Sequence, residues 1–121
     1  VSVLLDSCIL IDFLSGREAA RAWLSPIEGA AISLISWMEV IVGAKSAHEE
    51  AVVRGFLSAF EVLPVDTRVA EEAVCLRRSR RLKLPDAIIL ATARVHGRVL
   101  ATRNTRDFDA NAEDVVVPYR I

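Results

Sequence analysis

Three carboxylates stand in the most apolar parts of this chain. Asp6 closes the run Val-Ser-Val-Leu-Leu at residues 1–5. Glu39 lies among Ile35, Trp37, Met38, Val40, Ile41 and Val42, and Asp86 falls between Leu84-Pro85 and Ala87-Ile88-Ile89-Leu90. An ionised carboxylate buried without a partner costs on the order of several kcal/mol, so each position needs a physical reason. Carboxylates brought together repel one another unless protons or cations intervene. Oxygen ligands without His or Cys select hard ions such as Mg2+ or Mn2+. With arginines around it, such a site suits phosphodiester chemistry, in which a metal activates water, holds the phosphate and stabilises the leaving oxygen.

Each acid also has a local structural reading. Ser36 and Glu39 fit an S-x-x-E capping box, Asp86 in a first helical turn suits the helix dipole, and Asp6 could cap the helix after the first strand. Taken singly these are the commoner roles. Their shared placement in the chain favours a site.

That placement follows from the elements. Residues 1–5 read as a buried parallel strand, and Ser7 can cap a helix carrying Ile9, Leu10, Phe13 and Leu14 up to Gly16. A second helix runs from about Arg17 to Leu24, residues 30–34 read as a strand, and a helix is expected from Ser36 towards Gly43. Another helix covers about Ala47 to Phe60, and residues 62–66 form a short strand and turn. Thr67 can cap a long helix to about Arg81. Pro85 opens a helix that Gly97 ends. Residues 98–102 form a strand and residues 115–117 a last short one. Strands alternating with helices imply one α/β domain over residues 1–121, with a mostly parallel sheet and helices on both faces. In such sheets the crevice lies beyond the carboxyl ends of the strands, where strand order reverses. Asp6, Glu39 and Asp86 can all reach that edge. So can the loop after the strand at 98–102, with Thr102, Asn104 and Asp107.

Composition narrows the class. At 121 residues and 53% hydrophobic, the chain can bury a core without disulfides. Cys8 and Cys75 lack metal or disulfide spacing and are expected as buried small residues in a reducing cytosol. No apolar stretch approaches a membrane span and no signal-peptide pattern precedes Asp6, so a soluble cytoplasmic protein is expected. The net charge is −1, but residues 77–106 hold nine basic residues and one acid, Asp86, against six basic residues and fifteen acids elsewhere. That asymmetry points to a polyanionic partner or to arginines displayed to water.

Residues 1–11, 33–43 with Glu39, 84–93 (Leu-Pro-Asp-Ala-Ile-Ile-Leu-Ala-Thr-Ala) and 100–108 (Leu-Ala-Thr-Arg-Asn-Thr-Arg-Asp-Phe) resemble, in order and spacing, the motifs of PIN domains. The length resembles the VapC-type toxins of VapBC toxin–antitoxin pairs. The resemblance implies a three-layer α/β/α fold and a Mg2+- or Mn2+-dependent endoribonuclease. Position by position, Asp6, Glu39 and Asp86 match the family's metal-binding catalytic acids. The fourth acidic position falls on Asn104, a departure that leaves Asp107 as a candidate substitute. Ser7, where relatives usually carry Thr, and Thr102 are expected to support the cluster. Asp12 is expected at the surface or just behind the site. Arg80, Arg81 and Arg103 are candidates for RNA contact.

The resemblance further implies a homodimer and a small VapB-like antitoxin that places a basic side chain among the acids. Phe13, Trp23 and Trp37 are candidates for its apolar contacts, with Trp37 better placed as core. Two other readings of the same resemblance are a PIN nuclease in RNA processing or DNA repair without an antitoxin, and a non-catalytic binding module, which Asn104 alone favours. A flavodoxin-like phosphate-binding or response-regulator module would need a glycine-rich first loop or a clustered acid pair with a distant lysine, and the sequence has neither.

Overall fold

The computed structural model describes residues 2–121, so the start of the expected first strand at Val1 lies outside the described residues. Strands β1 (Val3–Leu5), β2 (Ala31–Ser33), β3 (Glu61–Leu63), β4 (Val99–Ala101) and β5 (Val115–Val116) form one sheet in the order β3-β2-β1-β4-β5. Every neighbouring pair is parallel. The described residues also form six helices: α1 (Ser7–Leu14), α2 (Glu18–Leu24), α3 (Leu34–Val42), α4 (Ala47–Leu57), α5 (Thr67–Arg80) and α6 (Leu84–Val95).

The strands are short, so burial rather than ladder length holds them. Consecutive strand residues face opposite sides of a sheet. Leu4, in register with Ala31 and Leu100, packs with α5 and α6 through Val69, Ala73, Ile89 and Leu90. Leu5, in register with Ile32 and Ala101, packs with α1 to α4 through Ile9, Leu24, Val40 and Leu57. This two-sided burial makes β1, β4 and β5 apolar at every position, with Ser33 in β2 and the exposed Glu61 in β3 as exceptions, and gives the α/β/α layering expected from the sequence. Truncating either fully buried leucine to Ala would cost about 2–5 kcal/mol.

Strand order reverses at β1. From there the chain builds β2 and β3 on one side, then β4 and β5 on the other. The crevice at this reversal opens at the carboxyl ends of β1 and β4, which Asp6 and Thr102 directly follow.

Several local expectations are corrected. Helix α3 starts at Leu34, because Ser33 ends β2 and its Oγ accepts from Ile35 N at 3.1 Å. Ser36 is therefore inside the helix, fully buried with its hydroxyl unpartnered, and forms no capping box with Glu39. Asp6, not Ser7, caps α1, and Asp66, not Thr67, caps α5 by accepting from Val69 N at 3.0 Å. In both cases a carboxylate beside the hydroxyl is the acceptor of the orphan N–H groups. Cys8 is half-buried and Cys75 is exposed on α5, so neither is the fully buried residue expected.

Candidate active site

Asp6 is built into the site from two sides. Its backbone N–H donates to Ala101 O at 2.9 Å, which ties it to the end of β4. Its side chain is 4% exposed: Oδ1 accepts from Ser7 N at 2.8 Å and Oδ2 from Thr102 Oγ at 2.6 Å. Thr102 is fully buried, and its hydroxyl in turn accepts from Asn104 N at 3.0 Å. A donor chain thus runs from the backbone of the β4–β5 loop through Thr102 to Asp6. Thr102, through its hydroxyl, and Ser7, through its backbone N–H, are thus both in contact with Asp6.

The other acids come from two helices, α3 and α6, and from that loop. Glu39 stands in the second turn of α3 and is exposed at the cleft. Partial burial raises its carboxyl above the ordinary range, with Asp6 adding to the rise and the Ser7 hydroxyl opposing it as a hydrogen-bond donor. Asp86 is in the first turn of α6, just after Pro85. Its carboxyl is pushed up to about 6, first by burial and then by the negative charges of Asp6, Asp107 and Glu39, with Lys83 pulling the other way. Asp107 and Asn104 clasp each other: Asn104 Nδ2 donates to Asp107 Oδ2 at 2.9 Å, and Asp107 N donates to Asn104 Oδ1 at 3.3 Å. Asp6, Glu39, Asp86, Asn104 and Asp107 all line one open cleft of about 570 Å3.

Of the two places expected for Asp12, the surface or just behind the site, the structure gives the second: it is buried behind Arg103, which lines the cleft. It is 3% exposed and accepts from Arg103 Nε at 2.7 Å, Arg103 Nη2 at 2.8 Å and the Tyr119 hydroxyl at 2.8 Å, with Arg17 at 3.5 Å. Burial alone would raise its carboxyl, but these donors and charges hold it below the usual carboxylate range. Nothing local in the sequence marks this cluster, since its partners are 91 and 107 residues away. Cys8 is a further residue the sequence left out of the site. It lines the cleft with Sγ at 3.5 Å from Asp6 Oδ2, and burial followed by the Asp6 charge pushes its thiol up, which keeps it protonated and unreactive.

Four of the nine basic residues in the segment are committed to internal partners. Arg80 spans Asp114 with two bonds of 3.2 and 3.0 Å, Arg94 bridges Glu72 and Asp114, and Arg98 donates to the carbonyls of Val3 and Gly29. Of the three candidates for RNA contact, Arg103 lines the cleft but turns its guanidinium onto Asp12. Arg80 and Arg81 do not line it; Arg81 ends α5 in a left-handed conformation, φ 57°. Lys83 and Arg106, which the sequence reading did not single out, do line it.

As the side chains stand, no three His, Cys, Asp or Glu groups among the described residues gather tightly enough to hold an ion by themselves. The carboxylates nevertheless act on one another across the cleft. Coulombic repulsion reaches further than a ligand shell, so the two facts agree: the acids share a cleft without converging on a point.

Known proteins place this arrangement. Residues 3–114 match the family model of the PIN domain. The chain is 39% identical over 114 residues to ribonuclease VapC10 of Mycobacterium tuberculosis, covering 88% of this chain and 85% of that protein. It is 37% identical over 87 residues to the tRNA(fMet)-specific endonuclease VapC of Shigella flexneri, covering 64% of this chain and 66% of that protein. Its fold superposes on a chain of a toxin–antitoxin complex from Klebsiella pneumoniae with a TM-score of 0.92 and 51% identity, covering 98% of this chain and 99% of that one.

Proposed function

Since the chain belongs to the PIN-domain family, among the VapC ribonucleases, we propose that it hydrolyses RNA phosphodiester bonds as the toxin of a type II toxin–antitoxin pair. One observation carries this reading: Asp6, Glu39, Asp86 and Asp107, from four separate stretches of chain, share one cleft at the strand-order reversal.

The donor set fits a hard divalent ion, and we assign Mg2+ or Mn2+. All candidate ligands are oxygens: the carboxylates of Asp6, Glu39 and Asp86, with Asn104 Oδ1 or Asp107 as a fourth. Acids that face one cleft without enclosing a point suit Mg2+, which is commonly held by one or two carboxylates while waters and substrate phosphate complete its shell. When bound, such an ion supplies an activated water and charge stabilisation at the phosphate and leaving oxygen. The chain's own residues prepare that chemistry. Thr102 and the Ser7 backbone N–H fix both oxygens of Asp6, so its charge is aimed before substrate arrives. Asp86 holds a proton below about pH 6 and exposes its charge above it.

Asp86→Asn tests the assignment, because it keeps shape and removes charge. Metal-dependent cleavage of single-stranded RNA should fall at least about 100-fold, since losing groups that merely orient a ligand already costs roughly 10- to 100-fold. Near wild-type cleavage with Mg2+ or Mn2+ would sink the site.

The partner reading is a VapB-like antitoxin and a homodimer, acting in the cytoplasm. Ile11, Met38 and Val42, on α1 and α3, are 47%, 42% and 82% exposed. Exposed apolar side chains on the two helices that bring Ser7 and Glu39 to the acidic cleft suit a partner that adds apolar contacts and a basic side chain. Phe13, Trp23 and Trp37 contribute less to it, being half-buried against the core, with Phe13 stacked on Phe56 at 4.9 Å. No helix among the described residues is long and apolar enough to cross a membrane.

A further inference from the structure

A cleft lined by four carboxylates repels a polyanion, so RNA needs cations there whose charge is not already neutralised. Three basic side chains line the cleft: Lys83, Arg103 and Arg106. Arg103 is excluded, because Nε and Nη2 are both bonded to Asp12 and that buried carboxylate balances its charge. Lys83 and Arg106 are exposed, and among the described residues neither has an ion-pair partner or a side-chain hydrogen bond. They also reach the cleft from different elements. Lys83 is the residue before α6, three positions ahead of Asp86, and Arg106 lies in the β4–β5 loop next to Asp107. An unpaired cation thus stands beside each of two acids in the cleft.

Building on the ribonuclease reading, we propose that Lys83 and Arg106 form a two-point clamp for the phosphates flanking the scissile bond of a single-stranded RNA. The clamp separates two uses of the basic segment, in which four of nine basic residues are consumed internally. Arg80, Arg94, Arg98 and Arg103 hold the fold together, and the substrate meets the cations left over at the cleft. It also predicts contact by charge alone, without base preference, because an exposed lysine and arginine reading phosphates carry no sequence information.

The test is anisotropy of an end-labelled, mixed-sequence single-stranded RNA with the full chain in EDTA, over about 50–200 mM salt. Each of Lys83→Ala and Arg106→Ala should reduce the slope of log affinity against log salt by about 0.7, the value for one lost phosphate contact on a single strand. Arg81→Ala, exposed but outside the cleft, should leave the slope unchanged. With Mn2+ present, the two cleft variants should raise KM several-fold while kcat stays within about two-fold, the pattern of lost uniform binding. Absence of RNA binding by the wild type, unchanged slopes for either cleft variant, or an equal loss for Arg81→Ala would overturn the clamp. A structural role for Lys83, merely offsetting Asp86, would lower stability and leave the slope alone, and that result also overturns it. If instead the slopes change as stated but the wild type cleaves no RNA with Mg2+ or Mn2+, the clamp stands and the hydrolytic reading fails.

Discussion

Asn104 stands where the resemblance implies a fourth acid, and its geometry says what an amide does there. Its Nδ2 donates to Asp107 and its Oδ1 accepts from the Asp107 backbone, so the pair closes a small ring at the cleft rim. A carboxylate at 104 could keep the second bond but not the first, and would face Asp107 oxygen to oxygen. Asn104→Asp should therefore destabilise the metal-free loop and tighten ion binding, because a cation relieves the repulsion it introduces. Asp107→Asn should weaken the ion less than Asp86→Asn does, since Asp107 is already committed to Asn104. Titration calorimetry of Mn2+ against the three variants measures both effects. Weaker binding by Asn104→Asp would show that the amide, not charge, is what the loop requires at this position.

Elements are held to the site by a link between distant parts of the chain. Asp12 on α1, Arg103 in the β4–β5 loop and Tyr119 meet in one cluster around the buried Asp12 carboxylate. Arg103 directly follows Thr102 and precedes Asn104, so this ion pair also sets the path of the loop that feeds the cleft. Asp12→Asn should cost about 2–3 kcal/mol, discounted from the cost of breaking a fully buried pair because Arg103 is one-third exposed. Urea denaturation measures it. A double-mutant cycle with Arg103→Gln should give a strong coupling, and simple additivity would mean that the two do not act as a pair.

The sequence made the elements legible wherever a local rule decides them. Apolar runs gave the strands, and Pro85 and Gly97 bracketed α6. The boundary of α3 was not legible because Ser33 and Ser36 offer competing caps, and only the end of β2 selects the first. Asp6, Glu39 and Asp86 stood out as charges in apolar surroundings. Asp12 did not, because what buries it is an arginine and a tyrosine far away in sequence. Lys83 and Arg106 were hidden inside a basic segment in which Arg80, Arg94, Arg98 and Arg103 are paired and only the fold decides which of the rest reach the cleft, a distinction no spacing encodes.

At the scale of the whole molecule, the site and the fold place opposite demands on pH. Asp12 and Asp114 are held below their ordinary value of 3.8 by their arginines, so the stability they contribute is present above that value and lost as pH falls through their folded values. Asp86 behaves in the reverse sense. Its folded value, about 6, lies above 3.8, so the folded state holds a proton that the unfolded chain releases, and stability falls as pH rises through that window. Glu39 adds to the same trend. The metal-free protein should therefore be most stable near about pH 4, and less stable at neutral pH, where the cleft carries its full charge. Asp86→Asn should flatten the decline between pH 4 and 6 and raise the melting temperature in EDTA at pH 7, the usual exchange between a functional site and stability. Excess Mn2+ should reverse the order: the wild type gains by mass action, because the unfolded chain has no assembled site, and the variant gains less. Melting curves of both proteins at pH 4.5 and 7, each with EDTA and with Mn2+, separate this from a purely structural role for Asp86. As a helix-dipole partner in the first turn of α6, its carboxylate would stabilise the fold when ionised. Asp86→Asn would then lower the melting temperature at pH 7, and Mn2+ would change neither protein.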